Sequence, residues 1–381
     1  MIKTSNRSDI TPFYAIEIFE EGQVYKRKNG LVKNLALGEP SANLPNELLE
    51  NLKNKILKEK FSYTESLGIS SLRKKICDHY KLNYKINISI ENVAVTAGAS
   101  AGIFMSLLCS FDKGNSIAIS RPGYPAYKNI VKALDMKVYY IDTSKEDNFQ
   151  LTVDLVKSLP ANINGLIVSS PSNPCGTIIN NHDMKEIIEV CKSKKIKVIS
   201  DEIYHKVEYQ KEKLTTAFKI DNEVLVINSF SKYFLMTGYR LGWILGDKDF
   251  IDKIRNIAMN FYLSPSSISQ YVAEHVFNYY DYFDNVVLSY LDNRNYLING
   301  LKKLGLTDFV IPKGAFYLYV DISKLKKNSY YLCKKMVQDI GVTLAPGIDF
   351  DNNNGKNYVR LSYACHKKEI ADSINLIKEW I

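Results

Sequence analysis

The sequence has few cysteines and histidines, the residues that hold zinc or iron or form disulfide frameworks. Its 381 residues include six cysteines and five histidines. No two cysteines form a C-x-x-C pair, and no two histidines lie four residues apart. The spacing of these residues matches neither the ligand sets of zinc or iron sites nor the cysteine framework of small secreted domains. We therefore expect no metal site and a reducing, cytoplasmic location.

Long apolar runs and blocks of one charge are also missing. The longest apolar-looking stretch, 101–111, is too short to cross a bilayer, and the polar opening MIKTSNRSD does not resemble a signal peptide. Lys and Arg number 50 and Asp and Glu 41, giving +9, but the lysines are scattered among acidic and apolar residues. These features argue against membrane insertion and against DNA or RNA binding, and they leave small anionic ligands as partners.

Strand-like and helix-like segments alternate through the first two thirds of the chain. Seven short apolar segments between residues 92 and 246 have the composition of strands, and segments with helical spacing, such as 103–111 and 184–194, lie between them. Neighbouring parallel strands need a crossover connection, which is usually a helix. The pattern therefore predicts an α/β protein with a mostly parallel sheet.

The pattern changes after about residue 247. Long helices are predicted over 250–262 and 268–303, followed by the strand-like GAFYLYVDIS and NYVRLSYA and a closing helix. With 46% hydrophobic residues the chain can bury a large core. We expect a second, smaller lobe and a ligand site in the cleft between the lobes.

Residues suited to ligand binding follow several of the predicted strands, where ligands of open α/β sheets bind. In VTAGASAG, small residues precede a helix and leave backbone N–H groups free for a phosphate. Such a turn is also common for packing alone, and it lacks both G-x-G-x-x-G and G-x-x-x-x-G-K-[ST]. The turn therefore does not support a nucleotide-binding fold.

Polar residues also end the segments SSPSNPCGT and VISDEIYH. The amide of Asn173 could face a ligand oxygen or only form a turn. Asp201 ends an apolar strand, and Tyr204 follows three residues later. A carboxylate buried there needs a cationic partner, of which a pyridinium nitrogen is one example.

The segment NSFSKYFLMTGYRLGW is the most informative. Lys232 lies between hydroxyl-bearing and aromatic residues, with Ser229 before it and Arg240 after it. A desolvated lysine can have a lowered pKa and form a Schiff base, although most lysines lie at protein surfaces. The wider sequence decides between these two readings.

The segment SFSKYFLMTGYRLGW resembles the cofactor-lysine signature of class I aminotransferases, within the fold-type I superfamily of pyridoxal-phosphate enzymes. Other segments similar to that family follow in the same order over nearly the whole chain: LALGEP, FSYTESLGISSLR, RPGYPAY, SPSNPCGT, SDEIYH, GAFYLY, GVTLAPG and YVRLSYA. The overall pattern is most similar to bacterial aspartate-type and broad-specificity members.

The resemblance implies a fold and a domain division. A three-layer αβα large domain with a mostly parallel sheet would span 46–285 and bind the cofactor. A smaller α+β domain would span 286–381, and residues 1–45 would join it.

The resemblance also implies how pyridoxal 5'-phosphate would be held. Lys232 would carry it as an imine and move the substrate proton. Asp201 would keep the ring nitrogen protonated, Asn173 and Tyr204 would hydrogen-bond the phenolic oxygen, and Tyr124 would stack on the ring. The residues implied to hold the phosphate are Ala99, Ser100, Ala101, Ser229 and Arg240.

The resemblance also implies which residues would bind the substrate and which would reach a partner subunit. Arg360 would clamp the substrate α-carboxylate, and Gly38 would let the backbone approach it. Tyr124 and Asn173 would also contact the substrate. Tyr63 would reach the phosphate of a partner subunit, which implies a homodimer with shared active sites.

Two positions depart from the family pattern. The turn at 98–101 has alanine where relatives often carry a longer polar side chain, and Asp351 stands where many relatives have glycine. These departures concern the details of phosphate binding and the loop around Asp351.

The implied reaction is transamination by a ping-pong mechanism between an L-amino acid (aspartate-type, glutamate or aromatic) and a 2-oxo acid such as 2-oxoglutarate. The same cofactor also supports lyases, decarboxylases and cyclases. A non-enzymatic regulator would need an added DNA-binding element, which the sequence does not contain. Phe13, Tyr14 and Ile16 either favour an apolar or aromatic substrate side chain or are ordinary packing residues, and Arg7 is the candidate cation for an acidic one.

Overall fold

The computed structural model describes residues 2–58, 60–211 and 213–381. In chain order, its strands are β1 (Lys33–Asn34), β2 (Val93–Thr96), β3 (Ser116–Arg121), β4 (Lys137–Asp142), β5 (Ile163–Ser169), β6 (Lys197–Asp201), β7 (Leu225–Ser229), β8 (Gly242–Leu245), β9 (Tyr317–Asp321), β10 (Val342–Thr343), β11 (Ala345–Pro346) and β12 (Tyr358–Ser362). Its helices are α1 (Tyr14–Asn29), α2 (Asn46–Lys58), α3 (Ser70–Tyr84), α4 (Ala99–Ser110), α5 (Pro125–Ala133), α6 (Val153–Lys157), α7 (Asn181–Ser193), α8 (Ala217–Ile220), α9 (Lys248–Phe261), α10 (Ser267–Val276), α11 (Tyr280–Lys303), α12 (Ser329–Ile340) and α13 (Lys367–Trp380).

A seven-stranded sheet organises the larger part of the chain. Its order is β2-β8-β7-β6-β5-β3-β4, and only β8 runs antiparallel to its neighbours. Alternate residues of the strands belong to two separate apolar clusters, with Val226 in one and its neighbours Leu225 and Ile227 in the other. Ile187 of α7 packs in the first cluster and Ile103 of α4 in the second, so helices cover both faces. The predicted α/β class and mostly parallel sheet are confirmed.

The remaining strands form two small sheets. β9, β12 and β11 make an antiparallel sheet, and β1 pairs in parallel with β10, with Lys33 opposite Val342. The early part of the chain thus pairs with the late part. This pairing agrees with the expected joining of residues 1–45 to the smaller domain, whose boundaries stay a prediction.

The helix predicted over 268–303 is two helices. α10 ends at Val276 and α11 begins at Tyr280, and the amides of Asn278 and Tyr279 bond to carbonyl oxygens three residues back. At this break Phe277 packs against Phe234, with 5.1 Å between ring centroids. The prediction of one helix was wrong because aromatic packing overrides the local helical pattern.

The helices offer no candidate for a membrane span. Within the described ranges, none combines the length and the apolar character needed to cross a bilayer.

The start of α1 is fixed by a residue far along the chain. Phe13 stands at the N-cap position and supplies no side-chain cap. Asp349, which is buried, accepts hydrogen bonds from the backbone N–H groups of Tyr14 at 2.9 Å and Ala15 at 2.8 Å. A carboxylate satisfies the unpaired amides of a helix start and interacts favourably with its dipole. Asp349 therefore sets where Phe13 lies.

Replacing Asp349 with alanine should loosen the start of α1. Loss of a helix cap costs about 1 kcal/mol, so the amides of Tyr14 and Ala15 should exchange with deuterium about fivefold faster. The measurement is hydrogen exchange followed by mass spectrometry of peptides covering residues 13–18. The exposed Asp154→Ala is the control, and equal exchange in both variants would contradict the assignment.

Candidate active site

A cavity of about 170 Å³ lies where several strands of the large sheet end at their carboxyl termini, against β9 and β12. All the cofactor-binding and substrate-binding residues implied by the family resemblance line it except Ala101 and Tyr63. Of the further candidates for recognising the substrate side chain, Phe13 lines it, and Arg7, Tyr14 and Ile16 do not. The lining residues are Phe13, Leu37, Gly38, Ala99, Ser100, Ile103, Tyr124, Asn173, Asp201, Ile203, Tyr204, Ser229, Ser231, Lys232, Arg240, Tyr317 and Arg360. Segments more than 300 residues apart in sequence thus meet in one site.

Lys232 follows β7 and extends its amine into the cavity. Its Nζ donates a hydrogen bond to the carbonyl oxygen of Gly38 at 2.8 Å. Desolvation, helped by the charges of Arg360 and Arg240, lowers the pKa of Lys232 to about 8. A larger fraction of the amine is therefore neutral near pH 7 than for an exposed lysine, as a nucleophile or base requires.

Asp201 ends β6 and is almost fully buried, with 1% of its surface exposed. Its Oδ1 accepts from the backbone N–H of Ile203 at 3.2 Å, and its Oδ2 accepts from the hydroxyl of Tyr127. Desolvation raises the pKa of Asp201 to about 6, opposed by these hydrogen bonds and by Lys232. No ion pair within the described part of the chain involves Asp201. A cationic ring nitrogen would therefore suit this carboxylate.

The start of α4 and Arg240 form the end of the cavity whose groups suit an anion. Gly98, just before the helix, has φ +88°, and a Cβ there would lie 2.7 Å from Nη2 of Arg240. The absence of a side chain therefore lets the guanidinium approach the unpaired amides of the helix start. Ser229 donates to the hydroxyl of Ser231 at 2.9 Å beside them. Amides, hydroxyls and a guanidinium together fit a phosphate.

Arg360 of β12 provides a buried positive charge on the opposite side. Its Nη1 donates to Oδ1 of Asn173 at 2.9 Å, its Nη2 donates to the carbonyl oxygen of Ala36, and its Nε is buried without a partner. The ring centroid of Tyr317 lies 4.3 Å from the guanidinium carbon. Over the described ranges, no carboxylate forms an ion pair with Arg360. The cavity can therefore accept the carboxylate of a ligand.

Tyrosines form much of the cavity wall. The hydroxyls of Tyr204 and Tyr317 lie 2.8 Å apart. Tyr124 presents its ring edge-on to Phe13, with 6.3 Å between centroids. A Cβ on Gly38 would overlap the hydroxyl of Tyr317, so this position requires glycine.

Sequence reasoning missed several residues at or beside the cavity. They are Leu37, Ile103, Ile203, Ser231 and Tyr317, which line it, and Tyr127, which contacts Asp201. Tyr317 lies in the segment GAFYLY that indicated the family, but a sequence segment does not reveal which of its tyrosines faces the ligand. Ser231 had a usable signal, since it lies directly beside Lys232.

Five residues expected at the site lie outside the cavity: Ala101, Tyr63, Arg7, Tyr14 and Ile16. Ala101 lies in the first turn of α4 and does not line it, and Tyr63 is 81% exposed. The side chain of Arg7 is 63% exposed and pairs with Asp135 at 2.5 Å, so the suggestion that it meets an acidic substrate within this cavity is wrong.

Asp351, which departs from the family pattern, forms hydrogen bonds within its own turn. It is buried, and its Oδ1 accepts from the amides of Asn353 at 2.7 Å and Asn354 at 3.0 Å. The side chain thus holds the turn formed by residues 351–354.

Comparison with known proteins identifies the family. The model of the family "Aminotransferase class I and II" matches residues 32–374. The chain is 33% identical to a valine–pyruvate aminotransferase of Mycobacterium tuberculosis, covering 98% of this chain and 97% of the relative. It is 32% identical to a (5-formylfuran-3-yl)methyl phosphate transaminase of Methanocaldococcus jannaschii, covering 97% and 96%.

Solved structures agree. An aminotransferase from Mycobacterium tuberculosis superposes with a TM-score of 0.96 at 33% identity, covering 100% of this chain and 99% of that one. An aspartate aminotransferase from Thermotoga maritima superposes with a TM-score of 0.91 at 25% identity, covering 99% of each. The chain therefore belongs to the class I and II aminotransferases, a family of pyridoxal-phosphate-dependent enzymes.

Proposed function

We propose that this enzyme binds pyridoxal 5'-phosphate in the cavity at Lys232 and transfers the amino group of an L-amino acid to a 2-oxo acid. The observation that carries the proposal is one buried cavity in which the Lys232 amine lies with the carboxylate of Asp201 and the guanidinium of Arg360. When bound, the cofactor supplies an aldehyde that takes up the amino group and a ring that accepts the electron pair released at the α-carbon.

The residues of the chain would hold each part of the cofactor. Asp201 would pair with the ring nitrogen, and the start of α4 with Arg240 would bind the phosphate. Because Oδ1 of Asn173 already accepts from Arg360, its amide N–H groups are free to donate to the phenolic oxygen. Tyr204, linked to Tyr317 by a hydrogen bond, would donate to the same oxygen.

Lys232 and Arg360 would act on the substrate. The guanidinium of Arg360 would bind the α-carboxylate and so fix the α-carbon against the amine of Lys232. In its neutral form that amine would take the proton from the α-carbon of the substrate and would pass it to the cofactor. The carbonyl oxygen of Gly38, 2.8 Å from the amine, would hold it in place.

The side chain of the donor is proposed to be apolar or aromatic. Phe13 and Leu37 line the cavity, and both offer apolar surface. A relative named for valine and pyruvate supports the same reading, whereas other relatives are named for aspartate. Aspartate is therefore the comparison substrate.

We further propose a cytoplasmic homodimer with shared active sites. Tyr63 is 81% exposed and lines a surface pocket together with residues 264–267, which directly follow Leu263, itself 52% exposed. Apolar surface of this kind is typical of an interface. The free thiols of all six cysteines support a reducing location.

Replacing Lys232 with alanine tests the central assignment. We expect loss of the absorbance band of the lysine-bound cofactor and a fall in turnover of about 10²–10⁴-fold, because the general base is removed. Lys185→Ala, an exposed lysine on α7, is the control and should keep both. A variant at 232 that retains band and turnover would overturn the proposal.

The donor is identified with the wild-type enzyme in the same spectrometer. Valine, phenylalanine, aspartate and glutamate are added singly, and a donor is recognised by loss of the band followed by its recovery with 2-oxoglutarate or pyruvate. The proposal expects valine and phenylalanine to act at lower concentration than the two acidic amino acids. The reverse order would show an acidic donor.

Gly98→Ala should weaken cofactor binding by moving Arg240. Gly114→Ala is a matched control, because Gly114 also has positive φ, +86°, but its Cβ would meet nothing within 4 Å. We expect at least about a tenfold higher Kd for the cofactor in Gly98→Ala, since a charge-assisted contact is worth 1.5–3 kcal/mol. Titration of the apoprotein measures it, and equal Kd values in the two variants would contradict the assignment.

Mixed dimers test whether Tyr63 serves the partner's cavity. Lys232→Ala and Tyr63→Phe subunits are inactive or impaired alone, but a heterodimer has one cavity with an intact Lys232 and an intact Tyr63 from the other subunit. Refolding an equal mixture should restore about a quarter of wild-type activity, because half of the dimers contain one complete site. If Tyr63 acted within its own subunit, no complete site would form and mixing would restore nothing.

A further inference from the structure

We propose that the buried hydroxyl of Tyr127 is a positioning group for transamination, acting through its hydrogen bond to the carboxylate of Asp201. The inference rests on the proposed role of Asp201 toward the ring nitrogen. Tyr127 does not line the cavity, so any effect it has on the reaction must pass through another residue.

The fold brings Tyr127 to Asp201 from a different layer. Tyr127 lies on α5, is 4% exposed, and donates its hydroxyl to Oδ2 of Asp201. Ser169 stands opposite Asp201 in the pairing of β5 with β6, and its side chain lies beside the Tyr127 hydroxyl. The hydroxyl therefore lies across the ends of two neighbouring strands. Its ring packs edge-on against Tyr124 at 5.4 Å between centroids, in the cavity wall.

These contacts leave Asp201 with a fixed orientation and spare acceptor capacity. A carboxylate has about four acceptor positions. The Tyr127 hydroxyl occupies one on Oδ2, and the amide of Ile203 occupies one on Oδ1. The two bonds to different oxygens prevent rotation of the group, and a remaining lone pair is available for a ligand in the cavity.

The hydrogen bond also favours the ionised carboxylate. Burial raises the pKa of Asp201 to about 6, and the first of the opposing influences is the bond from Tyr127. The other titratable groups around the carboxylate are Lys232, Tyr124 and the neighbouring Glu202. Without the Tyr127 hydroxyl, the pKa of Asp201 rises further, so the carboxyl stays protonated up to a higher pH. A protonated carboxyl does not hold a cationic ring nitrogen.

Tyr127→Phe tests the inference, since it removes the hydroxyl and keeps the ring. The variant loses a hydrogen bond to a charged group, and such bonds contribute strongly to affinity. We therefore expect about a tenfold higher Kd for pyridoxal phosphate in the apoprotein at pH 7. The acid limb of the kcat profile should move to higher pH by about one unit. Tyr139→Phe, a 38% exposed tyrosine on β4, is the control and should change neither.

A double-mutant cycle separates this role from a structural one. If Tyr127 acts through Asp201, Tyr127→Phe adds no further loss of cofactor affinity in an Asp201→Asn background. Full, additive loss in that background, or an unmoved acid limb in Tyr127→Phe, would overturn the inference. If Asp201→Asn alone leaves cofactor affinity and kcat unchanged, the proposed role of Asp201 fails instead. Thermal melting of each apoprotein identifies a variant that is simply unfolded.

Discussion

Charges buried in one cavity without ion-pair partners are the constraint on which the rest of the site depends. Asp201 and Arg360 have 1% and 2% of their surfaces exposed, and within the described residues neither has an ion-pair partner. Burying an unpaired charge is costly unless hydrogen bonds compensate for lost water. The hydrogen bonds from Tyr127 and Ile203 to Asp201, and from Arg360 to Asn173 and the Ala36 carbonyl oxygen, provide part of that compensation.

A bound cofactor and substrate would complete the charge balance. The ring nitrogen would meet the carboxylate of Asp201, and the substrate carboxylate would meet Arg360. The free energy gained from these pairs is available for binding and orientation, since the protein groups are already in position. The desolvation that makes the charges costly also lowers the pKa of Lys232 toward the range in which it is reactive.

The architecture explains how such a cavity is assembled. The carboxyl ends of the parallel strands bring Asp201 and the segment around Lys232 to one edge of the sheet, while β12 brings Arg360 from the smaller sheets. Close approach of these elements depends on glycine at two points. Gly98 admits the guanidinium of Arg240, and Gly38 admits the hydroxyl of Tyr317.

Much of this was determined by the sequence alone. The alternation of apolar segments and helical spacing fixed the α/β class, because each period follows from local backbone geometry. The segment around Lys232 and the other ordered motifs indicated the family and therefore which residues to place at the cofactor. Local patterns also located most strands, although the helix predicted over 268–303 is interrupted where Phe277 packs against Phe234.

Only the tertiary structure decided which side chains share the cavity and which act from behind it. Tyr127 reaches Asp201 across two strand ends, and Asp349 caps α1 from the far end of the chain. Neither contact has a sequence signature, because residues 74 and 334 positions apart meet only after the layers pack. The same reason excluded Arg7, whose charge the fold directs to Asp135 rather than to the cavity. The sequence determined the chemistry that is present, and the packing of distant elements determined the geometry in which it can act.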